Sequence, residues 1–165
     1  MGATGGGCGV GALPPNRDMV LARCNDIRGE LEVLRAYAAR GEADFTADGQ
    51  AVRSARYALV VLVEAAAAVC AHMAARSLGL SPETYGDCFR RCGSAGLIPP
   101  DLGGRLAALA RLRNMVVHLY GQVDDGRLLA EIREGLPDVE AYLAAVAAWL
   151  RAAGPAPAGA AEGEG

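Results

Sequence analysis

A stretch of eight residues, Arg113 to Tyr120, contains side chains that can bind a phosphate and transfer protons. It reads RNMVVHLY, in a region otherwise rich in alanine and leucine. An arginine such as Arg113 can hold a phosphate and stabilise the charge of a phosphoryl transition state. Histidine exchanges protons near neutral pH, and Asn114 can orient either a phosphate or the imidazole of His118. These residue types suit RNA cleavage by a 2′-hydroxyl, and the motif has no carboxylate cluster of the kind that binds magnesium.

Helix geometry limits how these groups can meet. Asn114 and His118 are four residues apart and therefore share a helix face. Arg113 and His118 diverge by about 140° on an ideal helix, with a rise of about 7.5 Å. A single helix therefore does not direct both groups at one atom. Two copies of the helix across a two-fold axis could bring them to a shared cleft, which favours a homodimer.

The composition predicts an all-α domain. The chain has 165 residues, enough for one domain with its own core; 52% are apolar but only 5% are aromatic. Much of the apolar content is alanine, so we expect an up-down bundle of four or five closely packed helices. The net charge is −3, yet residues 88–118 carry five arginines against one aspartate. Such a local basic segment fits a polyanion site of restricted extent.

Low-complexity ends flank the predicted helical domain. Residues 1–15 and 153–165 are rich in glycine, alanine and proline, and we expect disorder there, with the domain at 16–152. The apolar periodicity predicts five helices, over about 17–40, 49–78, 81–96, 99–120 and from 124 onward. Asn16 and Ser81 are the expected N-caps of the first and third, and Gly79 the stop of the second. Pro137 should kink or restart the last helix.

The cysteines and one apolar run bear on compartment and metals. Five cysteines and no visible secretory signal indicate free thiols in a reducing cytoplasm. Cys88 and Cys92 share a helix face, but a zinc site needs more ligands, so neither a metal nor a cofactor is predicted. Residues 58–75 approach the length of a membrane span. Glu64 and His72 interrupt that run, which favours a buried bundle helix and no membrane association.

The motif and its surroundings resemble the HepT branch of the HEPN superfamily. Members of that family carry an Arg-x4-His-x-Tyr motif near the end of a bundle helix, matched here by Arg113, His118 and Tyr120. The likeness covers roughly residues 18–150. It also rests on segments that fall where the family has similar ones: Ala51-Val52-Arg53, Ser81 to Phe89, Gly96-Leu97-Ile98-Pro99, Val123-Asp124 and Leu136-Pro137-Asp138.

The resemblance implies a helical homodimer with a composite active site in the cleft between subunits. It implies a cytoplasmic, metal-independent endoribonuclease toxin in which Arg113 and His118 are catalytic and Asn114 supports them. The substrate would be RNA, and transfer RNA is a target class in the family. The implied partner is an MntA-like minimal nucleotidyltransferase, an antitoxin that adds AMP to the motif tyrosine, here Tyr120. Charged adenylates beside the site would block the cleft and repel RNA.

The sequence is also compatible with two other functions. Some HEPN proteins bind a nucleotide or phosphate without cleaving it, as partners of a nucleotidyltransferase. The chain could also be a plain helical interaction protein in which the motif is a coincidence.

Several polar residues outside the motif are candidates for supporting roles. RNA contacts are expected from Arg53, Arg56 and Arg111, although a solvated helix face explains the first two equally well. Candidates for orienting Arg113 are Asp44, Asp48 and Glu64. His72 is better explained as a hydrogen-bonded packing residue than as a second catalytic group.

Overall fold

A computed structural model describes residues 13–118 and 123–155, and every regular element within these ranges is an α-helix. The helices are α1 (Arg17–Ala38), α2 (Glu42–Ala47), α3 (Gly49–Leu78), α4 (Tyr85–Ser94), α5 (Pro100–His118) and α6 (Asp125–Ala152). The prediction of an all-α fold is therefore confirmed, with one more helix than expected. The predicted disordered ends lie mostly outside the described residues; Leu13, at the first described position, donates its backbone N–H to the Arg76 carbonyl.

The long helices α1, α3, α5 and α6 form the bundle, and contacts at their ends give their directions. The start of α1 meets the end of α3, and the end of α1 meets the start of α3, so these two helices are antiparallel. The atoms involved are Asn16 N with His72 Nε2 at 2.9 Å and Arg40 Nη1 with Asp48 Oδ2 at 3.1 Å. The starts of α3 and α6 meet, as do their ends, so those two helices are parallel. The contacts are Arg56 with Asp125 at 2.6 Å and Trp149 Nε1 with Ser77 Oγ at 2.9 Å.

Helix α3 is the centre of the core. Seven of its fourteen buried residues are alanines, so neighbouring helices can approach it closely. It is long and apolar enough to cross a membrane by length and composition, but 61% of its most apolar window is buried inside the bundle. The tightly packed alanine face thus accounts for the apolar run that the sequence shows at 58–75.

Most predicted helix boundaries are confirmed, but that of α4 is not. The side chain of Asn16 accepts a hydrogen bond from the Met19 N–H, and Gly79 ends α3 in the left-handed conformation at φ 64°. The third predicted helix begins at Tyr85 rather than near Ser81. Thr84 caps it, because its hydroxyl accepts a hydrogen bond from the Asp87 N–H at 3.1 Å.

Two further differences involve a short helix and a proline. Helix α2 lies where a link was expected, and it places Phe45 in the core, 6.0 Å from the Tyr37 ring. Helix α6 continues through Pro137, so of the two predicted outcomes, a kink or a restart, the restart does not occur. Pro137 is exposed, while Val139 is buried and Leu136 packs against the core. Burial of that apolar face on both sides of the proline outweighs the one backbone hydrogen bond that it removes.

Candidate active site

The described part of the motif lies in the last two turns of α5. Leu112 and Val116 are buried and anchor this end of the helix in the bundle. Between these anchors Arg113 is half-buried and Asn114 is exposed, and His118, two residues after Val116, is exposed as well. Tyr120 lies outside the described residues. The helix therefore places Arg113 against its neighbours and leaves the imidazole of His118 open to solvent.

Three side chains surround the guanidinium of Arg113. It forms an ion pair with Glu64 of α3, donates a hydrogen bond to Asn114 Oδ1 at 3.1 Å, and lies over the Tyr85 ring, 5.5 Å from its centre. Only 16% of the Arg113 side chain is exposed, and its Nε is buried without a hydrogen-bond partner. A carboxylate, an amide and an aromatic ring thus hold this guanidinium in one orientation, with part of its hydrogen-bonding capacity unused.

Of the three acidic residues expected to orient Arg113, one contacts it and two do not. Glu64 contacts it, whereas Asp44 and Asp48 interact with Arg40 instead. Asp48 also caps α3, and hydrogen bonds from the Ala51 N–H and Arg40 lower its pKa. Asp44 lies in α2, and Asp48 precedes Glu64 by sixteen positions, a rise of about 24 Å along α3, so both aspartates are far from Arg113.

A groove of about 370 Å³ runs between α3 and α5. We call it the α3/α5 groove; its lining is Arg53, Arg56, Tyr57, Val60, Val116 and Val117. Arg113 does not line the groove, but it precedes Val116 and Val117 by one turn on α5, and its partner Glu64 follows Val60 by one turn on α3. Tyr57 is 69% exposed, an unusual position for an aromatic side chain.

The arginines expected to contact RNA lie on two sides of α5. Arg53 and Arg56 line the α3/α5 groove, although Arg56 is already bound to Asp125 and the Val123 carbonyl. Arg111 lines a separate groove of about 530 Å³ between α5 and α6. The structure therefore brings Arg53 and Arg56 to the same side as Arg113, and it leaves Arg111 apart from them, as helix geometry predicts for residues two positions apart.

The positive charge of residues 88–118 is smaller than their composition suggests. Arg91 pairs with Asp87 at 2.7 Å, and Arg105 pairs with Asp101 and with Asp138. Asp87, Asp138 and Glu64 lie outside residues 88–118, so the net charge of that segment does not include these ion-pair partners. The surface around the motif is accordingly mixed in charge rather than broadly basic.

Arg113 and His118 do not meet within one chain. Among the residues that the structure describes, no hydrogen bond joins them, and His118 is exposed in the last turn of α5. The separation expected from helix geometry is thus retained.

His72 is a packing residue, as the sequence predicted: its Nε2 accepts a hydrogen bond from the Asn16 N–H, and its ring stands edge-on to the Trp149 ring, 6.1 Å away. The contact of Tyr85 with Arg113 was missed, since no local pattern links positions on different helices.

Comparison with solved structures defines the class of fold. The chain is similar to the tri-AMPylated HEPN toxin of Shewanella oneidensis, solved in complex with its MNT antitoxin, with a TM-score of 0.73 and 20% identity over 79% of this chain and 98% of that one. It is also similar to a toxin–antitoxin complex with AMP-PNP (TM-score 0.71, 19% identity, 78% of this chain and 98% of that one). A mutant of the MntA–HpeT toxin–antitoxin pair matches with a TM-score of 0.71 and 21% identity, over 79% and 98% of the two chains. The fold is that of HEPN toxins.

The family follows from the sequence itself. The model of the family described as ribonuclease HepT-like matches residues 27–146. This chain belongs to the HepT-like family. No curated protein matches the sequence.

Proposed function

We propose that this protein is a cytoplasmic, metal-independent endoribonuclease toxin that acts as a homodimer. Arg113 of one subunit and His118 of the other would act on one phosphodiester. Arg113 holds the phosphate, His118 transfers the proton of the attacking 2′-hydroxyl or of the leaving 5′-oxygen, and Asn114 supports them. The observation that carries the proposal is a guanidinium held by Glu64, Asn114 and Tyr85, one helical turn from the α3/α5 groove, with His118 exposed in the last turn of α5.

The α3/α5 groove supports the homodimer. Tyr57 is largely exposed, and Val60 and Val117 are partly so, in a surface that also includes Arg53. Apolar and aromatic side chains surrounded by polar ones are typical of protein interfaces. A second copy seated on this face would bring its own α5 towards the same groove. That arrangement supplies the histidine that a single chain cannot direct at Arg113.

The proposed regulator is an MntA-like nucleotidyltransferase that transfers AMP to Tyr120. The similar toxin of Shewanella oneidensis is AMPylated and bound to its antitoxin, which supports this assignment. Tyr120 follows His118 by two residues, so adenylates attached there would bring phosphates close to the site. Their negative charge would occupy the arginine that RNA needs.

The first experiment compares the two histidines of the chain. Adenylate-free protein is incubated with RNA and a chelator, and the products are tested for 2′,3′-cyclic phosphate ends. We expect His118→Ala to lower cleavage by about a hundredfold or more, the usual contribution of a general acid or base, while His72→Ala cleaves normally. RNA whose 2′-hydroxyls are replaced by hydrogen should remain intact. Normal cleavage by His118→Ala, or activity that the chelator removes, contradicts the proposal.

A second experiment tests the arginine, with a surface arginine as control. Arg113→Ala should lose cleavage, while Arg23→Ala, on the exposed face of α1, should not. Expression of the wild-type protein alone should arrest growth, and Arg113→Ala should relieve the arrest. Equal activity of the two variants would show that the guanidinium in the site does not act on RNA.

One contact favours a second candidate, a non-catalytic nucleotide- or phosphate-binding partner of a nucleotidyltransferase. The Glu64 carboxylate already occupies one face of Arg113, so an incoming phosphate must share or displace it. Nucleotide binding that requires Arg113, together with no cleavage and no growth arrest, would favour this function over the nuclease.

A further inference from the structure

Three cysteines from two helices meet in the core of the bundle. Cys70 lies on α3, and Cys88 and Cys92 lie one turn apart on α4. Their sulfur atoms all lie within 4.8 Å of one another, and those of Cys70 and Cys92 are 3.3 Å apart. All three are free thiols and are buried, with Cys88 the most exposed at 3%. The sequence alone suggested only the pair on α4; folding adds the third thiol.

The spacing of the sulfurs matches a three-coordinate ion. Bonds of about 2.3 Å to one central ion, at angles between about 90° and 120°, place the sulfurs about 3.3 to 4.0 Å apart. The sulfurs of Cys70 and Cys92 already have such a separation. The other two sulfur–sulfur distances are at most 4.8 Å, so the side chains need to move by less than about 1 Å to bring them into this range. No fourth cysteine, histidine or carboxylate joins the cluster in the described residues. The tetrahedral site that structural zinc requires is therefore incomplete.

Because the three sulfurs are buried in an apolar core, a bound ion should neutralise their charge. Three thiolates carry three negative charges, and none of the described residues is a buried charged group that could offset them. A monovalent or divalent ion would leave a net negative charge in an apolar core, which is costly. A trivalent thiophilic ion leaves none. Trivalent arsenic meets both conditions, since it takes three thiolates and the product is neutral.

We propose that Cys70, Cys88 and Cys92 form a buried site for a trivalent thiophilic ion, with arsenite as the ligand. Binding replaces the three hydroxyl groups of arsenous acid by three sulfurs: three S–As bonds form, three As–O bonds break, and the thiol protons leave in three molecules of water. No oxidant or reductant is needed. The bound ion fixes α4 to α3 in the segment that also presents Tyr85 to Arg113. Entry requires binding during folding or a local opening of α4, because the thiols are sealed from solvent.

Intact-mass spectrometry of the full chain tests this site. The starting protein carries Cys8→Ala and Cys24→Ala, which leaves the three cysteines of the cluster as its only thiols. It is refolded under reducing conditions with arsenite. We expect one arsenic per chain with the loss of three hydrogens, the signature of three S–As bonds. Arsenite at about a hundred times its Kd should raise the Tm by about 5 to 10 °C.

Single substitutions within this background locate the bonds. Cys70→Ala and Cys92→Ala should each abolish the three-bond adduct and the rise in Tm, and circular dichroism verifies that they fold. Cys88→Ala, at the least buried position, gives the same test should either of the others not fold. The proposal is overturned if the three-cysteine protein takes up no arsenic. An adduct of the three-cysteine protein that has only two S–As bonds and keeps one hydroxyl on arsenic overturns it as well, as does a rise in Tm that is unchanged in Cys70→Ala. Air oxidation to a Cys70–Cys92 disulfide with no arsenic uptake would instead assign the pair to redox chemistry.

Discussion

Replacing Glu64 perturbs the contact that holds Arg113 in place. The Arg113 side chain is 16% exposed and that of Glu64 45%, so the ion pair is neither fully exposed nor buried. Exposed pairs contribute about 0.2 to 1 kcal/mol, whereas breaking a buried pair costs about 3 to 5 kcal/mol. For Glu64→Ala we expect a loss of about 1 to 2 kcal/mol in the free energy of unfolding, after allowance for solvent screening. Glu64→Gln keeps an acceptor oxygen for Arg113 and should cost about half as much.

Thermal unfolding measures this loss. A cost of about 1 to 2 kcal/mol corresponds to a fall in Tm of about 2 to 8 °C for a domain of this size. The effect should shrink at high salt, because the pair is partly exposed to solvent. A double-mutant cycle with Arg113→Met isolates the coupling energy between the two side chains from effects on either one alone.

The matched control is Asp26→Ala on α1. Asp26 also pairs with an arginine, Arg23, but both side chains are about half exposed, at 47% and 51%. This variant should change the stability by less than about 0.5 kcal/mol. If Glu64→Ala has no larger effect than Asp26→Ala, or if the cycle shows no coupling, Glu64 does not position the arginine and the account of the site is wrong.

Three further perturbations test the interface, the packing and the N-terminal contact. Tyr57→Asp should shift the protein from dimer to monomer in light scattering and lower RNA cleavage with it. Gly103→Ala should cost about 2 kcal/mol, because its Cβ would lie 2.6 Å from the Phe89 carbonyl oxygen. Burial and the charge of Arg76 lower the pKa of His72, so the folded protein binds fewer protons there than the unfolded chain. Its contribution to stability is present above about pH 6.5 and is lost as the pH falls through the lowered pKa, and His72→Gln should flatten that decline in Tm.

Each of these has its own contradicting outcome. A dimer that persists in Tyr57→Asp would place the interface elsewhere. Gly104→Ala, at the next and open position of α5, should be neutral or stabilising by up to about 1 kcal/mol, so equal destabilisation at both glycines would refute the packing argument. An unchanged pH profile in His72→Gln would assign the acid sensitivity of the fold to other groups.

The local features of this protein could be predicted from its sequence. Apolar spacing, the Asn16 cap and the Gly79 stop act over single turns, so they determine α1 and α3 without reference to the rest of the chain. The motif on α5 is equally local, and its spacing alone indicates that one ideal helix does not direct Arg113 and His118 at a single atom. Short elements are harder, because α2 has only six residues and too few turns to show a period.

The environment of the chemistry was decided by tertiary structure. Glu64 and Arg113 are 49 positions apart, and Cys70 and Cys92 are 22 apart, and no periodicity relates residues on different helices. Tertiary structure also decides that α6 continues through Pro137, because burial of the neighbouring apolar residues outweighs the tendency of proline to interrupt a helix. A sequence states which side chains share a face of their own helix. Which faces then meet depends on the packing of the whole bundle, since close-packed side chains accept few arrangements.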